Sequence, residues 1–206
     1  MAFSYCLDFN LRFVGDEADE FLDYAARTWP AMWESIEGVS NPLLLSNAFA
    51  LSGKYGYRLR VDIRRLSDLV NVEAAMTSQA DWKETRRRWF DARAAGQASL
   101  SQIVSGSDNY SEPGSKDGLV HCVISHADFP GPELYARVLA NTAGVIAFQS
   151  HRQILSAPAD RHQSWLRLRG LEHLDSVFES VSELGTSSAL LYGEIREVDG
   201  NLLVGA

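Results

Sequence analysis

The side chains best suited to chemistry lie on the polar faces of alternating runs. Asp8, Asn10 and Arg12 alternate with Leu7, Phe9 and Leu11, and Arg58, Arg60 and Asp62 alternate with Leu59, Val61 and Ile63. Later runs carry Gln149, His151 and Gln153, then Arg167 and Arg169, and His126 closes another. A period of two puts each set on one side of a strand. His exchanges protons near neutral pH, and Arg and Asn donate hydrogen bonds to developing negative charge. Together they suit removal of a proton from a phenol or enol and stabilisation of the resulting anion. His126 or His151 is the candidate base, with Asn10, Arg58 and Arg60 as the anion-stabilising set and Arg167 and Arg169 as further substrate contacts. Trp82 is a candidate stacking surface for a planar small-molecule substrate. The same charges would also serve a salt-bridged sheet interface or an exposed face, because buried charges persist only when paired or hydrated.

No stronger motif competes. The chain has no Gly-x-Ser-x-Gly elbow, no phosphate-cradling glycine loop, no dinucleotide fingerprint and no paired-histidine helix motif. His121 and His126 are five apart, so on a strand they face opposite ways and do not chelate one metal. His151, His162 and His173 are too scattered to define a site, so no metal is expected. Cys6 and Cys122 each sit in an apolar run, which fits buried reduced thiols and a cytoplasmic address. Nineteen Lys and Arg against 27 Asp and Glu give a net charge of −8. That balance disfavours nucleic acid, whose partners need clustered positive charge. With neither a basic-then-apolar leader nor an apolar run of about 18 residues, neither secretion nor a membrane partner is expected.

The elements that must hold these residues follow from their periods. Tyr5–Phe13 reads as a strand, and Gly15-Asp16-Glu17 as a turn with a helix start. Phe21, Leu22, Ala25, Trp29, Met32, Trp33 and Ile36 make one apolar stripe, with Pro30 set to kink the helix and Gly38 to end it. Leu43–Leu51 and Tyr57–Arg65 flank Ser52-Gly53-Lys54-Tyr55-Gly56 as a hairpin. A helical stretch from Ser67 to about Ala95, broken near Thr77-Ser78, precedes a strand over Ala98–Val104. Ser105–Gly118 holds turn formers and almost nothing to bury, which marks a linker. The order then repeats as strand Leu119–His126, helix Gly131–Asn141, strands Ala147–Leu155 and Ser164–Leu171, helix Leu174–Leu184 and strand Ala189–Val198. Aligning Tyr5-Cys6-Leu7 with His121-Cys122-Val123 sets Asn10 opposite His126. The expected class is α+β, with two tandem ferredoxin-like βαββαβ halves, residues 1–105 and 119–206 around a linker at 106–118, whose sheets pack face to face. The alternative is that each half pairs with its counterpart in a second chain, and exposed sheet edges would suit a homodimer.

In this order, the first half resembles the antibiotic biosynthesis monooxygenase group of the dimeric α+β barrel superfamily. The resemblance is carried by the polar face of Tyr5–Phe13 with Asn10, by IEGVSNPLLLSNAFALSGKYGYRLRVDI, and by SDLVNVEAAMTSQADWKETRRRW. In that group a strand-borne Asn and a Trp on the second helix recur, and Asn10 and Trp82 look like them. The group's usual His near the end of the second helix is absent from Asp81–Ala95, where Arg86, Arg87, Arg88 and Arg93 stand. Three consecutive helix residues fan over three faces, so Arg86, Arg87 and Arg88 read as a solvated helix face. The resemblance implies an enzyme of specialised metabolism that oxygenates or cyclises an aromatic or polyketide-like substrate without a cofactor. Relatives also include chlorite dismutase-like haem proteins and proteins of unassigned role. The implied alternatives are therefore haem held through a single His, and a non-catalytic ligand-binding or accessory protein.

Overall fold

A computed structural model describes residues 4–13, 17–48, 55–107, 110, 120–126, 131–155, 162–182, 186–198 and 201–204. The alternating run becomes β1 (Tyr5–Phe13), and the amphipathic stripe becomes α1 (Glu17–Glu34), with Pro30 inside it. β2 (Val39–Asn47), β3 (Tyr57–Ile63), α2 (Leu69–Ser78), α3 (Ala80–Ala92) and β4 (Arg93–Gly106) follow. β5 (Val120–His126), α4 (Pro132–Ala140), β6 (Val145–Leu155), β7 (His162–Leu168), α5 (Leu174–Ser182) and β8 (Thr186–Val198) repeat the order. A further strand, β9 (Asn201–Val204), is one that residue periodicity did not foresee. The helix break expected near Thr77-Ser78 falls at Gln79, whose extended backbone separates α2 from α3. β4 is longer than expected at both ends.

Hydrogen bonds order the strands β2-β3-β1-β4-β6-β7-β5-β8-β9, and β2 also pairs with β8. Eight strands therefore close into an antiparallel barrel, with β9 attached to β8 outside the ring. The runs β2-β3-β1-β4 and β6-β7-β5-β8 have the same internal order and join edge to edge through β4–β6 and β8–β2. Sheet closure thus happens within one chain rather than across two. The outer edges of the two four-strand runs are joined in this closure, and β9 adds an outer strand beside β8.

A shared turn marks the repeat. Gly38 and Gly144 precede β2 and β6 with φ of +85° and +82°. Each carbonyl accepts a 2.9 Å hydrogen bond from a backbone N–H just past β3 or β7, Arg64 or Arg169. A Cβ on either glycine would collide with the side chain of Asp68 or His173 in the following 3-10 turn, so both the conformation and the close approach demand glycine.

Helices cover the outside of the barrel. Leu7, Phe9 and Phe13 of β1 pack with Trp29 and Trp33 of α1 and with Trp82 of α3. Cys122, Ile124 and Leu166 pack with Leu139, Val177 and Val181 of α4 and α5. A third cluster, Leu45, Tyr110, Val123, Ala147, Trp165 and Tyr192, lies on the opposite side of the strands, inside the barrel. Ser52–Lys54 of the hairpin loop and most of the 106–118 stretch lie outside the described residues. Tyr110 is described and fully buried, which corrects the reading that this stretch has almost nothing to bury. No described helix is long and apolar enough to cross a membrane.

Candidate functional site

The polar strand faces converge inside the barrel. Arg58 Nε lies 3.6 Å from Asp8 Oδ1, and Arg60 Nη2 lies 3.1 Å from Asp62 Oδ1. Across the lumen, Arg60 Nη2 also donates to Gln149 Oε1 and sits 3.5 Å from His151 Nε2. The Arg58 guanidinium lies 4.6 Å over the Trp165 ring, and that of Arg60 lies 4.7 Å over Trp165 and 4.8 Å over Tyr110. Such contacts reward a desolvated cation. A second chain of bonds runs from Tyr110 Oη to His121 Nδ1 at 2.8 Å and from His121 Nε2 to Glu194 Oε1 at 2.7 Å. Arg167 Nη2 closes it, 3.4 Å from the same Glu194 oxygen. Three guanidiniums thus face three carboxylates, and none of the six side chains' residues is more than 5% exposed.

Burial sets the electrostatics. It opposes the charge on Arg60, but the facing Asp62 and Asp8 hold that pKa above the ordinary arginine value. Burial drops His151 well below the ordinary histidine value, with Arg60 and Arg58 adding to the effect, so the ring is neutral at pH 7. His121 is also lowered by burial, against the pull of Glu194. A neutral His121 donates from Nε2 to Glu194 and accepts the Tyr110 hydroxyl proton at Nδ1. The interior is a network of paired charges in which Arg60 Nε and Nη1, Arg58 Nε and His151 Nδ1 are buried without a hydrogen-bond partner among the described residues.

The structure brings together some of the residues selected from sequence and separates others. Arg58, Arg60 and His151 meet in the lumen, half-buried Asn10 stands opposite Arg58 in the β1–β3 register, and Arg167 joins through Glu194. His126 instead faces outward, its Nε2 2.9 Å from Ser164 Oγ. The alignment of Cys6 with Cys122 is out by one residue. Cys6 points into the barrel, 3.6 Å from Asp8 Oδ2, whereas Cys122 packs beneath helices, and a one-residue slip exchanges the faces of a strand. Trp82 is buried between helices and sheet, edge-on to Trp33 at 4.8 Å, and does not line the lumen. Arg169 is exposed just beyond β7. Tyr110, His121 and Glu194 were not selected from sequence. Strand parity could have found the two on β5 and β8, and Tyr110 is the one aromatic residue of its turn-rich stretch.

Open space lies on the other face of the sheet. A cavity of about 510 Å³ sits between β1, β4 and the α2–α3 pair, within the roughly 300–1,000 Å³ of small-molecule sites. Gly96 and Ala98 of β4 stand opposite Leu11 and Phe9 of β1, so small residues occupy positions where large ones would meet the helices. The walls are apolar, with Val72, Met76, Phe9 and Trp89 among them. Trp89 is held by stacking on Trp29 at 5.4 Å and by an edge contact with Phe9 at 5.6 Å. Arg86, Arg93 and half-exposed Phe90 border the cavity, and Glu73 is the one carboxylate among the described lining residues. A smaller space of about 210 Å³ lies between α1, β2 and β8, beside Glu194 and Arg196.

No protein-family profile and no curated protein matches the chain. Among solved structures, it superposes on an anthrone oxidase-like protein with a TM-score of 0.61 at 10% identity, over 99% of this chain and 96% of that one. A protein of Lactobacillus acidophilus NCFM designated a monooxygenase matches with a TM-score of 0.59 at 11% identity, over 98% and 99% of the two chains. A chlorite dismutase variant of Candidatus Nitrospira defluvii gives 0.60 at 13% identity, over 97% and 94%. What the chain shares with them is the fold, an antiparallel α+β barrel.

Haem in an α+β barrel needs an axial ligand aimed into its cavity. No described residue lining the 510 Å³ space is His, Cys or Tyr, and its Met76 is a ligand type used beside a His. The described residues lining this space therefore offer no His, Cys or Tyr as an axial ligand. An aromatic floor with guanidiniums at one edge can hold a planar molecule and stabilise negative charge on its rim.

Proposed function

We propose that this α+β barrel is a small-molecule oxygenase acting on an electron-rich aromatic substrate held in the cavity of the first half. The observation that carries this reading is the combination of Phe9 and Trp89 with Arg86 and Arg93 around one 510 Å³ space. A planar substrate stacks on the aromatic wall, and its phenol or enol oxygen reaches towards the guanidiniums. We place the base at Glu73 rather than at His151, which faces the opposite side of the sheet. Loss of a proton from an activated ring CH2 gives an anion that reacts with dioxygen. The carbon keeps one oxygen atom as a carbonyl and the other leaves as water, so CH2 and O2 become C=O and H2O with no further reductant. The name of the anthrone oxidase-like neighbour supports this class of reaction.

The test is incubation with anthrone- and naphthol-type compounds under air and under nitrogen, with products resolved by chromatography. Conversion above the uncatalysed rate in air, and none under nitrogen, is expected. Conversion that survives under nitrogen would indicate cyclisation. Binding without conversion in either gas would indicate a ligand-binding protein.

A further inference from the structure

The four arginines of α3 and the start of β4 have different surroundings. Arg87 pairs with Glu84 at 2.8 Å and Asp91 at 3.2 Å, and Arg88 pairs with Glu84 at 2.9 Å. Among the described residues, Arg86 and Arg93 have no ion pair. Both lie over the Phe90 ring, at 5.7 Å and 4.8 Å, and both border the cavity. Two like charges beside one ring repel each other, in a chain with eight more acidic than basic side chains.

Two backbone features hold Arg93 there. In the β1–β4 ladder Arg12 faces Ala95 but Phe13 faces Arg93, so β4 carries one extra residue, Ala94. Without this bulge, Arg93 would share the lumen-facing parity of Ala95 and Gln97. With it, Arg93 stands opposite Phe13, which packs against Phe21 of α1 on the outer face. Gly96 then clears the path, because a Cβ there would stand 3.2 Å from Arg93 Cδ and 3.4 Å from its Nη1.

Resting on the cavity reading above, we propose that Arg86 and Arg93 form an anion subsite, so that the substrate is an aromatic acid whose ring lies on Trp89 and whose carboxylate lies between the two guanidiniums. Carboxylate recognition by paired guanidiniums gives strong, charge-assisted hydrogen bonds. Glu73, the other charged group on the lining, is the proposed base, so the ligand's carboxylate lies away from it and towards the guanidiniums.

The test is titration of the wild-type protein, Gly96→Ala and the Arg86→Gln/Arg93→Gln double variant with 2-naphthoate and with 2-naphthamide, read by tryptophan fluorescence and checked by melting curves. Wild type should bind the acid at least about tenfold more tightly than the amide. The double variant should bind the two within about twofold and melt like wild type. Gly96→Ala, which displaces Arg93 without removing its charge, should fall between. Equal affinity of wild type for acid and amide would overturn the anion subsite while leaving the cavity reading intact. Failure of wild type to bind either compound would overturn both.

Discussion

Tyr110 Oη stands 2.8 Å from His121 Nδ1 in the barrel interior, and both side chains are fully buried. The hydroxyl satisfies a ring nitrogen whose other side is committed to Glu194, so Tyr110 is fastened through its phenol as well as through its carbonyl, which accepts from Arg167 Nη1 at 3.3 Å. Tyr110→Phe keeps the ring beneath Arg60 and leaves His121 Nδ1 without its donor. A buried polar atom stripped of its partner costs about 1–3 kcal/mol. Urea denaturation should show a loss in that range, and an unchanged midpoint would contradict this fastening.

Arg60 decides whether the lumen is structural. It is fully buried, pairs with Asp62 and bonds to Gln149, so Arg60→Ala removes the 3.1 Å ion pair of a buried carboxylate that otherwise accepts from Asn41 Nδ2. Removing one partner of a buried pair costs about 3–5 kcal/mol. The variant should lose stability on that scale while any residual folded protein binds 2-naphthoate with wild-type affinity, because the cavity lies on the other face. Weakened binding with intact stability would return the site to the lumen.

Acid should weaken the fold through its buried histidines. Burial, then Arg60 and Arg58, place folded His151 below its unfolded value, and burial lowers His121 in the same direction despite Glu194. The unfolded chain therefore takes up these protons first, near pH 6.5. Stability is complete above that pH and declines as pH falls towards the folded values, by at most about 1.4 kcal/mol per pH unit for each histidine. Chemical denaturation from pH 8 to 5 should be flat at first and then fall. His151→Phe, which retains a ring beside Trp165, should give a shallower fall, and an identical slope would contradict the assignment.

Strict alternation made the lumen readable from residues alone. Once β1 and β3 alternate, Asp8, Arg58, Arg60 and Asp62 must share a face, and their number implies a polar interior. What alternation cannot show is an interruption. The extra residue at Ala94 turns Arg93 outward, and the one-residue offset between Cys6 and Cys122 places His126 on the wrong face. Tyr110 enters from a stretch with no period to read. The cavity was hidden for another reason. Gly96 and Ala98 look unremarkable in a row of small residues, and they matter because Leu11 and Phe9 stand beside them and a broken helix pair stands above. The turn formers of 106–118 still make that stretch our proposed connection between the halves.

The most direct test of the account is oxygen uptake with an anthrone-type substrate by wild type and by Ala98→Phe, corrected for uncatalysed oxidation. Ala98 is exposed on the cavity floor, so a phenyl ring there fills the space at little cost to the fold. The account predicts that wild type consumes oxygen and that Ala98→Phe, with an unchanged melting temperature, loses at least about 90% of the rate, a barrier increase of about 1.4 kcal/mol or more. Oxygen uptake by Ala98→Phe at the wild-type rate would contradict the placement of the reaction in this cavity.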